Sequence, residues 1–286
     1  DHLLEANQIV SWAYSRSPDP IVYSVRTDGM ALALTYEKDQ EVVAWTRWKT
    51  KGRFERVCTL RAAADERDEV AYFVVRRRVR GRWVRYIERT RPRRLTDIRD
   101  SFFVDSGLSY DEPFQIEDVS ATNPVQITAD GHGYSNGDLV DVSGIVFDTV
   151  RDETGLETTA RQINDRRFTV AGATTEAFEL SGGGSNGEDN LAYLEGGLLR
   201  RPVQTVGGLW HLEGEEVIVL ADGNVVSDLV VENGQITLPR ACSRIHVGLP
   251  YTFEIETLNI EAPQGNIQAR QKKISSVKVR LKYSRG

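Results

Sequence analysis

The sequence predicts an all-β protein, and three observations predict it. Val, Ile, Thr and aromatic residues recur in short runs, the composition that a pleated, half-buried strand favours. Those runs are broken by Gly, Asn and Asp, above all by Asp-Gly and Asn-Gly pairs that suit tight hairpin turns. Helix signals are nearly absent; the best of them, Gln264 to Lys273, is short and polar.

Taken in order, Ile9 to Tyr14 reads as a first strand, stopped by Ser15-Arg-Ser-Pro-Asp-Pro20. Ile21 to Arg26 and Met30 to Tyr36 form a hairpin around Thr27-Asp28-Gly29. Val42 to Trp48 follows, and Lys51-Gly52 turns the chain into Phe54 to Leu60. Antiparallel strands on short turns have the size and order of a β-propeller blade. After a charged loop from Ala62 to Glu69, Val70 to Val79 and Arg82 to Arg89 pair around Arg80-Gly81. Phe102 to Val104 and Asp105 to Tyr110 then lead to Pro113, where the composition changes.

From Ser120 to Gly187 the chain is poor in Lys and rich in Gly, Thr, Asp and Asn. Short strands closed by Asn-Gly and Gly-Gly turns predict a small β-barrel or sandwich inserted over residues 113–203. The composition found before Pro113 resumes at Val206-Gly207, so the expected organisation is 1–112, an insert at 113–203, and a continuation at 204–286. In that continuation Val217 to Ala221 is apolar on both faces, which predicts a buried strand. Asp222-Gly223 and Asn233-Gly234 predict two successive hairpins, a meander reaching Leu238. Phe253 to Ile260 is a further expected strand, and Val277 to Tyr283 alternates apolar with Lys and Arg, as a guarded sheet edge does.

With 286 residues, 40% hydrophobic and 27% charged, the chain has the balance of a folded globular protein and length enough for two or three domains. No run approaches the roughly 20 apolar residues of a membrane helix. Asp1 and Gly286 read as the ends of a processed piece or fragment. The formal net charge of −6 argues against a polyanion binder over the whole surface. Cys58 and Cys242 lie far apart in strand-like contexts; buried free thiols are the expectation and a disulfide the alternative.

The order of phrases outside the insert resembles the tail nozzle proteins of short-tailed bacteriophages, the tail tubular protein B-like or packaged-DNA stabilisation type. Ile21 to Gly29, Leu34-Thr-Tyr36 and Val42-Val-Ala-Trp45 look like the last propeller region of that family. Val104-Asp-Ser-Gly-Leu-Ser-Tyr110, Leu212-Glu-Gly214, Ala221-Asp-Gly223 and Val247-Gly-Leu-Pro-Tyr251 follow its pattern in the same order. The insert resembles the module named after the first catalytic-cysteine half-domain of ubiquitin-activating enzymes, through Gly131-His-Gly-Tyr-Ser-Asn-Gly-Asp-Leu-Val140 and Asn164 to Phe168. It has no cysteine, so the activity behind that name does not come with it.

These resemblances imply propeller-derived strands, a β-barrel or sandwich, and an inserted small β-barrel. They imply a non-enzymatic virion subunit in the tail, made in the host cytoplasm, with six copies around a channel for double-stranded DNA. The implied partners are the tail adaptor and other tail proteins, and no cofactor is implied. The preceding propeller blades of a complete member have no counterpart here. A second function class makes the insert, residues 113–203, a host-surface polysaccharide-binding module carried on a tail structural protein. If the insert or the blade binds glycan, Trp45, Trp48, Trp83 and Trp210 are candidate stacking rings, against the commoner role of strand tryptophans in cores and interfaces.

The one candidate interaction surface comprises Arg76, Arg78, Arg80, Arg82, Arg85 and Trp83, with Arg77, Arg91, Arg93 and Arg94 in the same run. Arginines beside rings suit a phosphate backbone. They also suit an acidic neighbouring subunit, or a solvated face paired with Glu88, Asp97 and Asp100. His2, His132, His211 and His246 have no metal-ligand spacing. Asp138, Asp141, Asp148, Asp152 and Glu153 lack the calcium-loop pattern and read as a solvated acidic stretch. No catalytic group stands out, and nothing selects one carboxylate pair for glycoside cleavage among 42 acidic residues.

Overall fold

The computed structural model describes residues 3–62, 67–92, 95–151, 157–159, 163–183, 185, 192–255, 276 and 278. Among them every regular element is a β-strand, apart from three short 3-10 turns at 38–40, 98–100 and 210–212. The residues fall into two units, one of 1–98, 103–106 and 249–286, the other of 99–102 and 107–248. Of the expected strand at 253–260 only 253–255 are described, and they are not in a strand. The expected helix at 264–273 lies outside the described residues, as does the strand at 277–283 apart from Lys278.

The first unit is a two-layer sandwich. Strands β1 (Ile9–Ser15), β2 (Ile21–Arg26), β3 (Ala31–Glu37) and β4 (Val42–Trp48) form one antiparallel sheet in chain order. Strands β5 (Arg53–Arg61), β6 (Glu69–Val79) and β7 (Arg82–Arg89) form the other. Alternation drives the packing, since residues two apart share a face. Ile21, Tyr23 and Val25 of β2 and Ala31 and Ala33 of β3 meet Phe54, Val57, Ala71, Phe73 and Val75 of the second sheet. Phe73 takes Tyr23 and Phe54 edge-on, with ring centroids 5.9 and 5.2 Å apart. Side chains stitch the two sheets at β1 and β5: Ser11 Oγ accepts from Val57 N–H at 3.1 Å, and Thr59 Oγ1 donates to the Tyr14 carbonyl at 2.9 Å.

In the second unit, β9 (Phe114–Gln115), β10 (Asp118–Val119), β11 (Gln126–Thr128), β12 (Leu139–Phe147), β15 (Arg166–Ala171), β16 (Ala177–Ser181) and β17 (Tyr193–Arg200) make a seven-stranded antiparallel sheet. Its order is β10-β11-β16-β15-β12-β17-β9. The short hairpin of β13 (Thr149–Arg151) and β14 (Glu157–Thr159) stands apart from it. The two end strands are consecutive in the chain, only Ile116 and Glu117 apart. Ile116 N–H bonds the Gly197 carbonyl at one end of the sheet, and Glu117 N–H bonds the Thr128 carbonyl at the other. The sheet is therefore rolled on itself, yet no ladder joins β9 to β10, so it is not the closed barrel expected of the insert. Two-residue end strands are too short to close one. Ile127, Phe178, Leu180, Val140 and Leu199 fill the roll, all fully buried.

Strand β8 (Asp105–Tyr110) and strands β18 (Val203–Val206), β19 (Glu216–Ala221), β20 (Asn224–Val230), β21 (Ile236–Cys242) and β22 (Ile245–Leu249) flank the insert in sequence. One sheet runs β20-β19-β22-β8 and so joins strands from both sides of it. β19 is central there, with Val217, Val219 and Ala221 buried and its other face half-buried. Asp222 (φ 48°) and Gly223 (φ 79°) make the expected hairpin turn. The second hairpin departs from the expected meander. Asn233 (φ 54°) and Gly234 (φ 71°) turn as predicted, but only the bridge Glu232–Gln235 closes, and β21 pairs with β18 instead. Edge atoms of the turn are already engaged elsewhere: Val231 N–H bonds the Glu215 carbonyl, and the Val231 carbonyl accepts from Gly214 N–H.

Candidate interaction face

Strand β6 exposes one face and buries the other. Ala71, Phe73, Val75 and Arg77 face the sandwich core, while Tyr72, Val74, Arg76 and Arg78 face outward. In register with them on β7 are Arg89, Ile87, Arg85 and Trp83. On β5, Arg56 stands beside Val74 and Cys58 beside Tyr72. The outward face thus gathers Arg56, Arg76, Arg78, Arg85 and Arg89 around Trp83 and Ile87, the latter 78% exposed.

Two like charges directly opposite each other in a ladder repel. Arg76 and Arg85 are such a pair, and Glu55, at the irregularity between Phe54 and Arg56, relieves them. Arg85 Nε donates to Glu55 Oε2 at 2.6 Å, and Arg76 Nε lies 3.8 Å from Glu55 Oε1. The hydrogen bond from Arg85 holds the Glu55 carboxyl below its usual range, and Glu55 raises Arg85 in turn. The Arg76 guanidinium also sits 4.6 Å over the Trp83 ring. One carboxylate among five outward arginines leaves the face strongly cationic.

Of the residues singled out by sequence, Arg76, Arg78, Trp83 and Arg85 come together on this face. Arg82 begins β7 on the opposite face, and Arg80 occupies the turn at φ 48°. Arg93 and Arg94 lie outside the described residues. Arg77 is no part of the face: it is 2% exposed and paired with Glu88 and Asp105. Asp100 pairs with Arg244. Sequence reasoning missed Glu55, Arg56, Ile87 and Arg89; the two-residue period of β7 places the last two beside Arg85.

Cys58 is exposed rather than buried, because it falls on the outward face of β5; Cys242 is buried, and both are free thiols. His132 is buried, accepts from Tyr134 N–H through Nδ1 at 2.9 Å and stacks on Tyr134. Burial pushes the Tyr134 hydroxyl up to about 12. His246 is buried in β22, with Nδ1 2.7 Å from Ser109 Oγ and Nε2 3.1 Å from the Arg99 carbonyl oxygen. Asp138 pairs with Arg201 and Asp141 with Arg167; Asp152 and Glu153 lie outside the described residues. Among the described residues no group of three His, Cys, Asp or Glu is placed to hold a metal ion, and no helix is long and apolar enough to cross a membrane. Trp48 packs into the aromatic core, 5.6 Å from Tyr23, whereas Trp45, Trp83 and Trp210 are exposed.

Neither a protein-family model nor a curated protein sequence matches this chain.

Proposed function

We propose that this chain is a structural subunit of the tail nozzle of a short-tailed bacteriophage, part of the channel that holds and then ejects the packaged DNA. The observation that carries the reading is where the resembling phrases lie. Asp105 to Tyr110, Ala221-Asp-Gly223 and Val247 to Leu249 of those phrases are far apart in sequence, yet they fall on β8, the β19–β20 turn and β22 of one sheet. On this reading the β1–β4 sheet corresponds to a propeller blade, and the rolled sheet of 113–203 to the inserted half-domain-like barrel module. The subunit is not an enzyme and takes no cofactor. Six copies form a ring beneath the portal and adaptor in the virion tail, and double-stranded DNA passes through without sequence-specific contact.

The arginine face fits this reading best as a docking surface for an acidic neighbour. A channel lined with arginines would bind phosphates and slow transit, whereas a basic patch meeting an acidic one fixes register between subunits. Cryo-electron microscopy of the full-length protein with its portal and adaptor tests the proposal. A closed ring extending the tail channel is expected, with the Arg76–Arg85 face at a subunit boundary. A monomer that ignores the tail complex and binds host polysaccharide would replace it with the glycan-binding alternative.

A further inference from the structure

The second unit holds a cleft of about 300 Å³ that the arginine face does not share. Six arginines line it: Arg99, Arg166, Arg167, Arg200, Arg240 and Arg244. They come from a 3-10 turn, from β15, β17 and β21, and from the link into β22, so side chains distant in sequence converge on one space. Three carboxylates line it with them, Asp141, Asp165 and Asp222, which leaves a formal lining charge of 6 − 3 = +3. Asp100 and Asp111 lie behind Arg244 and Arg200 and reduce the excess of the whole cluster to 6 − 5 = +1.

The carboxylates pin the arginines more than they consume them. Asp141 holds Arg167 through both oxygens, at 2.6 and 2.8 Å. Asp111 holds Arg200 at 2.6 Å, Asp100 holds Arg244 at 3.0 Å, and Asp165 holds Arg99 at 3.2 Å. The Arg200 and Arg244 side chains are 7% and 11% exposed. Arg167 also donates through Nη1 to the Ala241 carbonyl at 2.8 Å, and Arg200 through Nη1 to Ser143 Oγ at 3.2 Å; a guanidinium carries five N–H donors, more than these two use in their described contacts. Arginines already fixed lose little conformational entropy when a ligand arrives. Arg240 is exposed at the rim and has no carboxylate partner among the described residues.

We propose that this cleft binds a small phosphate monoester. Convergent, pre-fixed guanidiniums match the tetrahedral, doubly charged oxyanion, and forked donors bind it more strongly than a lone cation would. A cation is disfavoured by the lining charge. A nucleic-acid backbone fits poorly, because Asp141, Asp165 and Asp222 would repel the phosphates that follow the first one. At about 30 Å³ for each water, the cleft has room for the phosphate group and a small substituent.

Isothermal titration calorimetry in chloride buffer, with inorganic phosphate, ribose 5-phosphate and ribose, tests the site. Both phosphates should bind saturably, ribose should give no heat, and Arg240→Glu should weaken binding by about tenfold or more. Lys38→Glu makes the same charge change on an exposed residue of the other unit and should leave binding unaltered. Arg240→Glu breaks no side-chain hydrogen bond or ion pair among the described residues, so its thermal unfolding should stay close to the parent. Absence of saturable binding would overturn the proposal, as would equal weakening by Lys38→Glu. Binding of a duplex oligonucleotide that ribose 5-phosphate cannot displace would overturn it too.

Discussion

Arg77 grips Glu88 with a two-pronged fork: Nε lies 2.6 Å from Oε1 and Nη2 2.7 Å from Oε2. The same guanidinium reaches Asp105 Oδ1 at 3.0 Å and the Lys51 carbonyl at 3.2 Å. Thr50 Oγ1 donates to Asp105 at 2.6 Å and Ser106 Oγ to Glu88 at 3.2 Å, so both carboxylates have further partners. Burial works against the charged guanidinium, but Glu88 and Asp105 together outweigh it and raise Arg77 above its ordinary value. A buried arginine survives only with such a complete set of partners.

Removing Arg77 therefore leaves two partly buried carboxylates facing each other without a cation. Arg77→Met should destabilise the first unit by about 3–5 kcal/mol. Arg77→Lys should lose less, because the charge stays while the fork goes. Adding Glu88→Gln to Arg77→Met should recover part of the loss. Urea unfolding curves of the three variants check the order, and an Arg77→Met protein as stable as the parent would sink the assignment.

The two thiols should differ sharply in reactivity. Burial first, and then Asp222, push the Cys242 thiol up to about 11, while Cys58 is exposed. At pH 8 iodoacetamide should label Cys58 in the native protein and spare Cys242 until denaturant is added, because only the thiolate reacts. The folded state holds the Cys242 proton more tightly than the unfolded one. Its stabilising contribution is therefore fully present below the ordinary thiol range and is lost as pH rises towards 11. Peptide mass spectrometry of the labelled protein reads the difference directly.

Hairpins and strand faces were legible because their causes are local. Asp222-Gly223 and Asn233-Gly234 turn where the dipeptides predict, since both positions need positive φ. The burial of Arg77 was not legible. Alternation says that Arg77 points away from Arg76 and Arg78, but Asp105, 28 residues on, decides that it can point inward. The rolled sheet was hidden for the same reason, because β11 pairs with β16 across a long intervening stretch. The cleft has no local motif at all. Its arginines lie at 99, 166, 167, 200, 240 and 244, and only the fold brings them together.

Gly234 cannot carry a side chain. A Cβ there would stand 2.5 Å from Trp210 Cδ2 and 2.6 Å from Cε2, at a φ of 71°. The indole is too rigid to yield without swinging away as a whole. Gly234→Ala should cost more than the ~1 kcal/mol that backbone strain alone predicts. Trp210 should then become more exposed, so a red shift in its fluorescence should accompany the lower melting temperature. An unchanged spectrum with unchanged stability would contradict the close approach.

The β6–β7 turn makes the opposite prediction. Arg80 holds φ 48° and Gly81 φ 78°, the paired positive angles of a two-residue hairpin whose twist matches the strands. Glycine meets that demand freely, but arginine has a Cβ that crowds the following carbonyl. Asparagine tolerates this region better than arginine, so Arg80→Asn should raise stability by about 0.5 kcal/mol or leave it unchanged. The same change removes one positive charge from the tip of the hairpin while Arg76, Arg78 and Arg85 keep their places on the face. If the face docks an acidic neighbour, association should weaken only slightly and keep most of its salt dependence. Charge reversal at Arg78 should weaken it far more, because that residue stands exposed beside Trp83 on the outward face. Sedimentation velocity of the three proteins across a salt series separates the turn's contribution from that of the face.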